Sequence, residues 1–193
     1  MATPTPYYKQ KYNREFSPGD DLPLVSTDLD SIRSYQWEIH FFGLPTELSN
    51  GTDLTLAAKK VSQVGMTNEA IVIDRINDKM YYPGKTTPEE LVVTFDNLYL
   101  RKTNEDLWKW FKFTYDPITG EMTKASAPGG LANASFKVNK AEIVLLDNTM
   151  EPHSVAEVYG LWPTKHTMAE FNYSTNDFHT IDVSFRYDFM NIK

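Results

Sequence analysis

The most restrictive feature of this sequence is a strict alternation of apolar and polar residues close to its carboxyl end. The apolar members of the run are Ile181, Val183, Phe185, Tyr187 and Phe189, and the polar members are Asp182, Ser184, Arg186 and Asp188. Neighbouring side chains of a β-strand point to opposite faces, so a period of two predicts one strand with a buried face and an exposed face. We expect the whole closing segment, Val158 to Phe189, to be β-structured.

Weaker strand signals recur along the rest of the chain. Alternating or β-branched runs predict further strands over residues 35–41, 52–58, 69–73, 90–98, 136–146 and 154–159. The stretch Gly160-Leu161-Trp162-Pro163-Thr164 predicts a turn. These signals together predict a mainly β (α+β) fold, an antiparallel β-sandwich or barrel.

A single flanking helix is expected after residue 102. Thr103 or Asn104 suits the N-cap position, and Glu105 and Asp106 place negative charge in the first turn, where the helix dipole favours it. Asp116-Pro117 is expected to stop this helix, and a long loop to follow it.

The length of 193 residues suits one hydrophobic core. Pro and Gly residues interrupt any periodicity in residues 1–30, so we expect an irregular N-terminal arm there and a single β domain over residues 31–193. The absence of cysteine excludes disulfides and thiolate metal sites. No apolar run has the length of a membrane span, and we expect a soluble, unprocessed protein.

Sequence patterns that carry chemistry are missing. The four histidines are scattered, and neither a phosphate-binding glycine pattern nor GxSxG occurs. Glu38 and His40 share one face of a predicted strand and form the best acid-base pair, but a plain polar outer face explains them better. We predict no enzyme, no cofactor and no metal site.

The formal net charge of −7 bears on nucleic acids. Proteins that bind DNA generally place clustered Lys and Arg against phosphates, which this balance disfavours. An acidic surface can instead let DNA pass without holding it.

Residues 157–164, EVYGLWPT, carry a specific resemblance together with 170–173, EFNY, and the alternating run that follows. In that order and spacing they resemble the C-terminal part of the tail tube protein of T-even-type contractile-tailed bacteriophages. Residues 77–85, the 90–95 strand and a helix bearing Trp108 and Trp110 resemble the same family further upstream. The resemblance covers about Tyr35 to Phe189.

This resemblance implies a structural virion protein. Its copies assemble into hexameric rings, and the rings stack into the inner tube of a contractile phage tail, the conduit for DNA ejection. The implied partners are further copies of the chain, tail sheath and baseplate proteins, and phage DNA passing without specific binding; no membrane is involved. Assembly is expected in the host cytoplasm, and related folds occur in the type VI secretion tube.

Assembly of this kind needs surfaces that pair with other copies, and free strand edges supply them. The candidate interface or lumen residues are Asp182, Ser184, Arg186, Asp188, Tyr82, Pro83, Gly84, Gly160, Leu161, Trp162 and Pro163. We expect acidic and neutral side chains to dominate the lumen. Two other functions remain open, a ligand-binding β-barrel protein and a baseplate or tail-end paralogue of the tube fold.

Overall fold

The computed structural model describes residues 32–45, 48, 51–122, 136–174 and 176–193. The arm expected over residues 1–30 lies outside this part of the chain. Within it there are nine strands and two α-helices, in the order β1 (Trp37–Phe42), α1 (Gly51–Ala57), β2 (Ala58–Val61), β3 (Met66–Asp74), β4 (Lys79–Pro88), β5 (Leu91–Asp96), α2 (Thr103–Thr114), β6 (Val138–Leu146), β7 (Pro152–Met168), β8 (Thr180–Arg186) and β9 (Phe189–Ile192). The predicted mainly β, antiparallel fold is confirmed.

Two antiparallel sheets form the body of the protein. The first sheet has the order β1-β6-β7-β9, and the second has the order β7-β8-β5-β2. Strand β7 belongs to both, because its first part pairs with β6 and β9 and its second part pairs with β8. The sheets therefore make a sandwich joined along β7, and not a closed barrel.

The interior of the sandwich is filled by side chains from both sheets and both helices. Trp110 of α2 is fully buried, and its ring lies 5.2 Å from Phe185 of β8 and 6.0 Å from Phe41 of β1. Its indole N–H donates to the carbonyl of Phe136 at 3.1 Å, so the one polar atom of this ring is satisfied. This packed interior gives no support to the ligand-binding barrel.

Strands β3 and β4 form a hairpin that stands apart from the sandwich. They pair with each other and with no other strand of the described residues. The base of the hairpin is fixed where Glu89 N–H donates to the Gly65 carbonyl at 3.0 Å, and the buried Tyr187 hydroxyl donates to the same carbonyl at 2.5 Å. Within the described ranges, the sandwich therefore holds the hairpin mainly at its base.

The alternating run that predicted one strand over 181–189 is divided between two strands. Residues Ile181, Val183 and Phe185 do face the core, as predicted, but β8 ends at Arg186 and β9 begins at Phe189. The break lies opposite Gly160, where β7 passes from one sheet to the other with a φ of +68°. Because its partner bends there, the run must bend too, and the single-strand prediction is wrong.

Three other local predictions are wrong. Residues 52–58 lie mostly in helix α1, since the buried Leu54 and Ala57 are three residues apart and share a helix face. The predicted turn at 160–164 is part of the continuous β7. The N-cap of α2 is Lys102, in the left-handed region with φ of 51° and no side-chain cap, so neither Thr103 nor Asn104 has that role.

Candidate functional site

The first sheet has an open edge on each side within the described residues. Strand β1 pairs with β6 alone, and β9 pairs with β7 alone. A groove of about 740 Å³ runs beside β1, with exposed Tyr35, Phe42 and Leu56 in its lining. Open edges present backbone donors and acceptors to a further strand.

Cross-strand rows organise the outward face of this sheet. One row is formed by His40, Glu142, Glu157 and Asn191, and the next by Phe42, Lys140, Tyr159 and Phe189. The Lys140 ammonium lies 5.1 Å from the centre of the Phe42 ring, and the Tyr159 and Phe189 rings stack at 4.6 Å. The second row therefore has a partly exposed phenylalanine at each edge of the sheet.

Glu157 is the electrostatic centre of the same face and is only 3% exposed. Its carboxylate accepts from Lys193 Nζ at 2.9 Å and from the Tyr159 hydroxyl at 2.9 Å, and Lys140 Nζ lies 3.4 Å away. These hydrogen bonds, that from Lys193 first, hold the pKa of Glu157 below its ordinary value. Hydrogen bonding to Glu142 in turn raises the pKa of Lys140. Both lysines of this face are thus neutralised by carboxylates.

Catalytic chemistry finds no further support in the described residues. Glu38 and His40 do meet, at 3.2 Å, but both are solvent-exposed to a large degree. No group of three or more His, Asp or Glu side chains in the described ranges is arranged to hold a metal ion. Neither helix in this part of the chain is long and apolar enough to cross a membrane.

Three predicted site residues lie together on the outward face of the second sheet. Asp182 accepts from the Thr94 hydroxyl at 2.6 Å, Ser184 is 8% exposed, and Arg186 is exposed. They share this face because β8 alternates, as the sequence predicts.

Four other candidates surround the bend of β7. Leu161 is fully buried and Pro163 is buried, so both belong to the interior of the protomer. Trp162 is half-buried and packs edge-on against Phe136, with ring centres 5.7 Å apart. Gly160 lies against Asp188, whose carboxylate pairs with Lys137 Nζ at 2.7 Å.

The remaining candidates, Tyr82, Pro83 and Gly84, lie on the exposed hairpin. At Gly84 an added Cβ would meet the Glu69 carbonyl oxygen at 2.9 Å, so the two strands approach closely there. Sequence analysis did not identify the cross-strand neighbours of Tyr82 and the adjacent Tyr81 on β3. Ile71 pairs with Tyr82 and Val72 pairs with Tyr81, and these four side chains are all 46% exposed or more.

Both faces of the hairpin are apolar and exposed. Its alternation puts Ile71, Ile73, Met80 and Tyr82 on one face and Val72 and Tyr81 on the other. The signal available in the sequence was the uninterrupted apolar run 71–73, which is typical of a strand covered on both sides. Nothing in the described protomer covers either face extensively.

A second exposed apolar surface lies at the end of the second sheet where β5 and β7 finish and β8 begins. We call this the far-end patch, and its members are Tyr99, Leu100, Phe171, Tyr173 and Phe178, all at least 75% exposed. The two connections that carry it are joined, since Asn97 N–H donates to the His179 carbonyl at 3.0 Å and the Phe171 ring stacks on His179 at 4.6 Å.

Several solved structures share this fold at low sequence identity. A chain in the cryo-EM structure of the anti-feeding prophage baseplate is 12% identical, with 85% of this chain and 96% of that chain covered and a TM-score of 0.62. A chain in the structure of the same prophage's tube-terminating cap is 13% identical, with coverages of 90% and 95% and a TM-score of 0.62. A chain in the sheath-tube complex of the extracellular contractile injection system PVC is 16% identical, with coverages of 88% and 98% and a TM-score of 0.61.

Sequence comparison identifies the family directly. No curated protein sequence matches the chain significantly. The family model described as T4-like virus tail tube protein gp19, however, matches residues 47–191. That match spans most of the sandwich and the whole hairpin, and it confirms the resemblance inferred from residues 157–164 and their surroundings. The chain therefore belongs to the T4-like virus tail tube protein family, whose members are structural components of virion tails.

Proposed function

We propose that copies of this chain close into hexameric rings that stack into the inner tube of a contractile phage tail. Family membership supports a tube role, and the fold is shared with a chain of a sheath-tube complex. A tail sheath around the tube and a baseplate at its end are the partners that this role requires. Assembly takes place in the host cytoplasm, before the virion is released.

The observation that carries the proposal is the pair of open edges on the first sheet. Strand directions alternate along β1, β6, β7 and β9 because every pairing is antiparallel. Strand β9 of one protomer can therefore accept β1 of the next as another antiparallel neighbour. The two edges are different surfaces, so the contact is heterologous, and a constant rotation closes it into a ring.

Side chains at the two edges are suited to such a seam. Phe42 and Phe189 end the same cross-strand row and are 45% and 52% exposed. Joining the edges in register brings these rings together across the seam, with His40 beside Asn191 in the next row. Aromatic pairs across strands stabilise sheets beyond their backbone hydrogen bonds.

The outward face of the first sheet then lines the channel. Its ionised groups are Glu38, Glu142 and Glu157 against Lys140 and Lys193, which gives one net negative charge per protomer, and both lysines are paired. DNA meeting this wall releases few counterions and passes without being held. The second sheet's outward face, with Asp182, Ser184 and Arg186, points away from the channel toward the sheath.

Disulfide cross-linking tests the seam, since the chain has no cysteine of its own. Phe42→Cys combined with Phe189→Cys should give, under mild oxidation, a ladder of covalent multimers that ends at the closed ring. Phe42→Cys combined with Phe178→Cys is the matched control and should give no closed product. Tubes that form normally but never cross-link through the first pair would place the seam elsewhere.

One other function retains support, a ring that ends the tube. Chains from baseplate and cap structures match this fold as well as the chain from the sheath-tube complex. Electron microscopy of the purified protein separates the two. A tube protein yields hollow tubes of many rings and uniform width, whereas an end protein yields single rings. A monodisperse protomer at high concentration would contradict both.

A further inference from the structure

A third cross-strand row on the outward face of the first sheet has opposite charges at its two ends. It begins with Glu38 on β1 and continues through Val144 and Val155. It ends with Lys193, directly after β9, whose N–H donates to the Val155 carbonyl at 2.9 Å and whose carbonyl accepts from the Val155 N–H at 3.1 Å. One edge of the sheet thus carries a carboxylate at the level where the other edge carries an ammonium.

These two charges lie on opposite edges within one protomer. Three strand spacings separate the ends of the row, about 14 Å between the backbones. The Lys193 ammonium turns instead to the Glu157 carboxylate of its own sheet, at 2.9 Å. The side chains of Glu38 and Lys193 remain 51% and 63% exposed. Each charge can therefore take a further partner from another copy of the chain.

Backbone hydrogen bonding limits how the two edges can join. Even-numbered residues of β1 bond inward to β6, because Leu146 N–H donates to the Gln36 carbonyl at 3.0 Å, and the odd-numbered residues face the free edge. On β9 the pair formed by Lys193 and Val155 makes the odd-numbered residues bond inward, so the even-numbered residues face the free edge. An antiparallel seam must join odd-numbered residues of β1 to even-numbered residues of β9.

Registers that satisfy this condition differ by steps of two residues. A slip by one residue would also turn core-facing side chains of one strand toward the outward face. The register of the proposed seam places Glu38 opposite Lys193. Slipping it by two residues places Glu38 opposite Asn191 in one direction, and Lys193 opposite His40 in the other. All three keep the faces and the hydrogen-bonding pattern, so the side-chain pairs select among them.

We propose that Lys193 pairs with Glu38 of the next protomer and that this ion pair selects the register of the ring seam. The inference rests on the seam proposed above and names the residues that align it. Opposite charges directly across two strands stabilise their pairing, and like charges oppose it. Lys193 then lies between Glu157 of its own protomer and Glu38 of the next, and it neutralises a carboxylate on each side.

The pair also joins the charges of neighbouring protomers. Within one protomer, Lys140 Nζ lies 2.5 Å from the Glu142 carboxylate and 3.4 Å from that of Glu157. Glu157 in turn accepts from Lys193. The contact between Lys193 and Glu38 continues this alternation of charge across the seam, so a closed ring carries it from each protomer to the next.

Substitutions at both residues test the pair. Glu38→Lys places like charges across the seam and should raise the concentration for half-maximal ring formation on the order of tenfold. Lys193→Gln should weaken ring formation in the native background but improve it in the Glu38→Lys background, where it removes the repulsion. Loosening of β9 through the lost hydrogen bond to Glu157 would weaken assembly in both backgrounds, so the reversal of sign identifies the pair.

Glu121→Lys is the matched control, since it makes the same charge change at an exposed glutamate outside the first sheet, and it should form rings like the wild type. Sedimentation and electron microscopy measure ring formation, and the defect of Glu38→Lys should shrink in high salt. An equal effect of Lys193→Gln in both backgrounds would overturn the proposal. Failure of the ring proposal itself looks different, since the wild-type protein then forms no rings.

Cysteine pairs report the register directly. Phe42→Cys with Phe189→Cys reports the proposed register, and His40→Cys with Phe189→Cys reports a register slipped by two residues. With Glu38 and Lys193 in place, the first pair should cross-link and the second should not. In the Glu38→Lys background, cross-linking should fall for the first pair and rise for the second. Efficient cross-linking of the slipped pair in the native background, or no change on charge reversal, would overturn the proposal.

Discussion

The sandwich and the hairpin use the same kinds of side chain in opposite ways. In β5, the apolar residues Leu91, Val93 and Phe95 alternate with half-buried neighbours, and all three are fully buried. In β3, Ile71, Val72 and Ile73 follow one another, and all three are about half exposed. Burial of such side chains contributes about 1.5–3 kcal/mol each, so the hairpin leaves this stabilisation unused in the protomer.

The comparison separates residues that fold the protomer from residues that join protomers. An isolated two-stranded hairpin is only marginally stable in water, and this one is held at Gly65 and Glu89. In the proposed tube, a neighbouring copy of the chain is expected to cover the exposed apolar faces of the hairpin. The predictions below test that division, from the largest expected effect on protomer stability to the smallest.

Replacement of the central tryptophan should cost most. Trp110→Ala removes a fully buried ring and leaves a cavity beside Phe41 and Phe185, for an expected loss of about 3–5 kcal/mol. Trp108→Ala, four-tenths exposed on the same helix, should lose about 1 kcal/mol or less. Urea unfolding of the two variants measures these losses of free energy. Equal losses would mean that Trp110 of α2 does not contribute to the core of the sandwich.

The bend of β7 should be the next most sensitive point. Gly160→Ala introduces a Cβ at a φ of +68° and into the Asp188 carboxylate, which also disturbs the Lys137 ion pair. Gly120→Ala is the control, with a φ of +74° and open space around it. Left-handed strain alone costs about 1–2 kcal/mol. The loss of stability measured by thermal unfolding should therefore be clearly larger for Gly160→Ala than for Gly120→Ala. Similar losses would show that the contact with Asp188 adds no strain.

A smaller effect should depend on pH through Glu157. Its pKa is lowered in the folded state, so its contribution to stability is present above the ordinary glutamate range and is lost as pH falls through the folded pKa. Unfolding free energies measured from pH 6 downward should decline less steeply for Glu157→Gln than for the wild type. Parallel pH profiles would show that the Lys193 and Tyr159 hydrogen bonds do not stabilise the ionised form.

The smallest effect on the protomer is expected in the hairpin. Tyr82→Ser should change the free energy of unfolding by no more than about 0.5 kcal/mol, because the ring is 46% exposed on a hairpin that pairs with no strand of the sandwich in the described residues. The same variant should impair tube growth strongly, which light scattering measures. A large stability loss with normal growth would reverse the roles assigned to the two regions.

Sequence periodicity predicted the sandwich better than its connections. Ile181, Val183 and Phe185 face the core because a strand with alternating side chains on a half-covered sheet can bury its apolar side chains in only one register. Helix α1 is short, and the alternation of Leu54, Leu56 and Ala58 in its sequence mimics that of a strand, so tertiary packing decided its form. Strand β7 continues through Pro163 because its register with β8 shifts between Pro163 and Lys165, and such an irregularity is one of the places where a strand tolerates proline. Local turn propensity cannot anticipate this.

The exposed apolar surfaces were predicted only in part. Tyr82, Pro83 and Gly84 were placed on a candidate surface, and they do lie on the exposed hairpin. Leu161 and Pro163 were also candidates, but both are buried. The sequence was interpreted as a turn, and a turn does not indicate which side chains face the core once the segment is a strand. Phe171 and Phe178 of the far-end patch carry no periodic signal and emerge only when the loops are seen together.

Hydrogen exchange of the hairpin tests the central claim most directly. In the isolated protomer, amides of residues 66–88 should exchange much faster than those of β5 and β8, because local opening of the hairpin exposes no core. In assembled tubes the hairpin amides should slow to rates close to those of the sandwich. Fast exchange over 66–88 in fully assembled wild-type tubes would contradict the claim that another copy covers the hairpin.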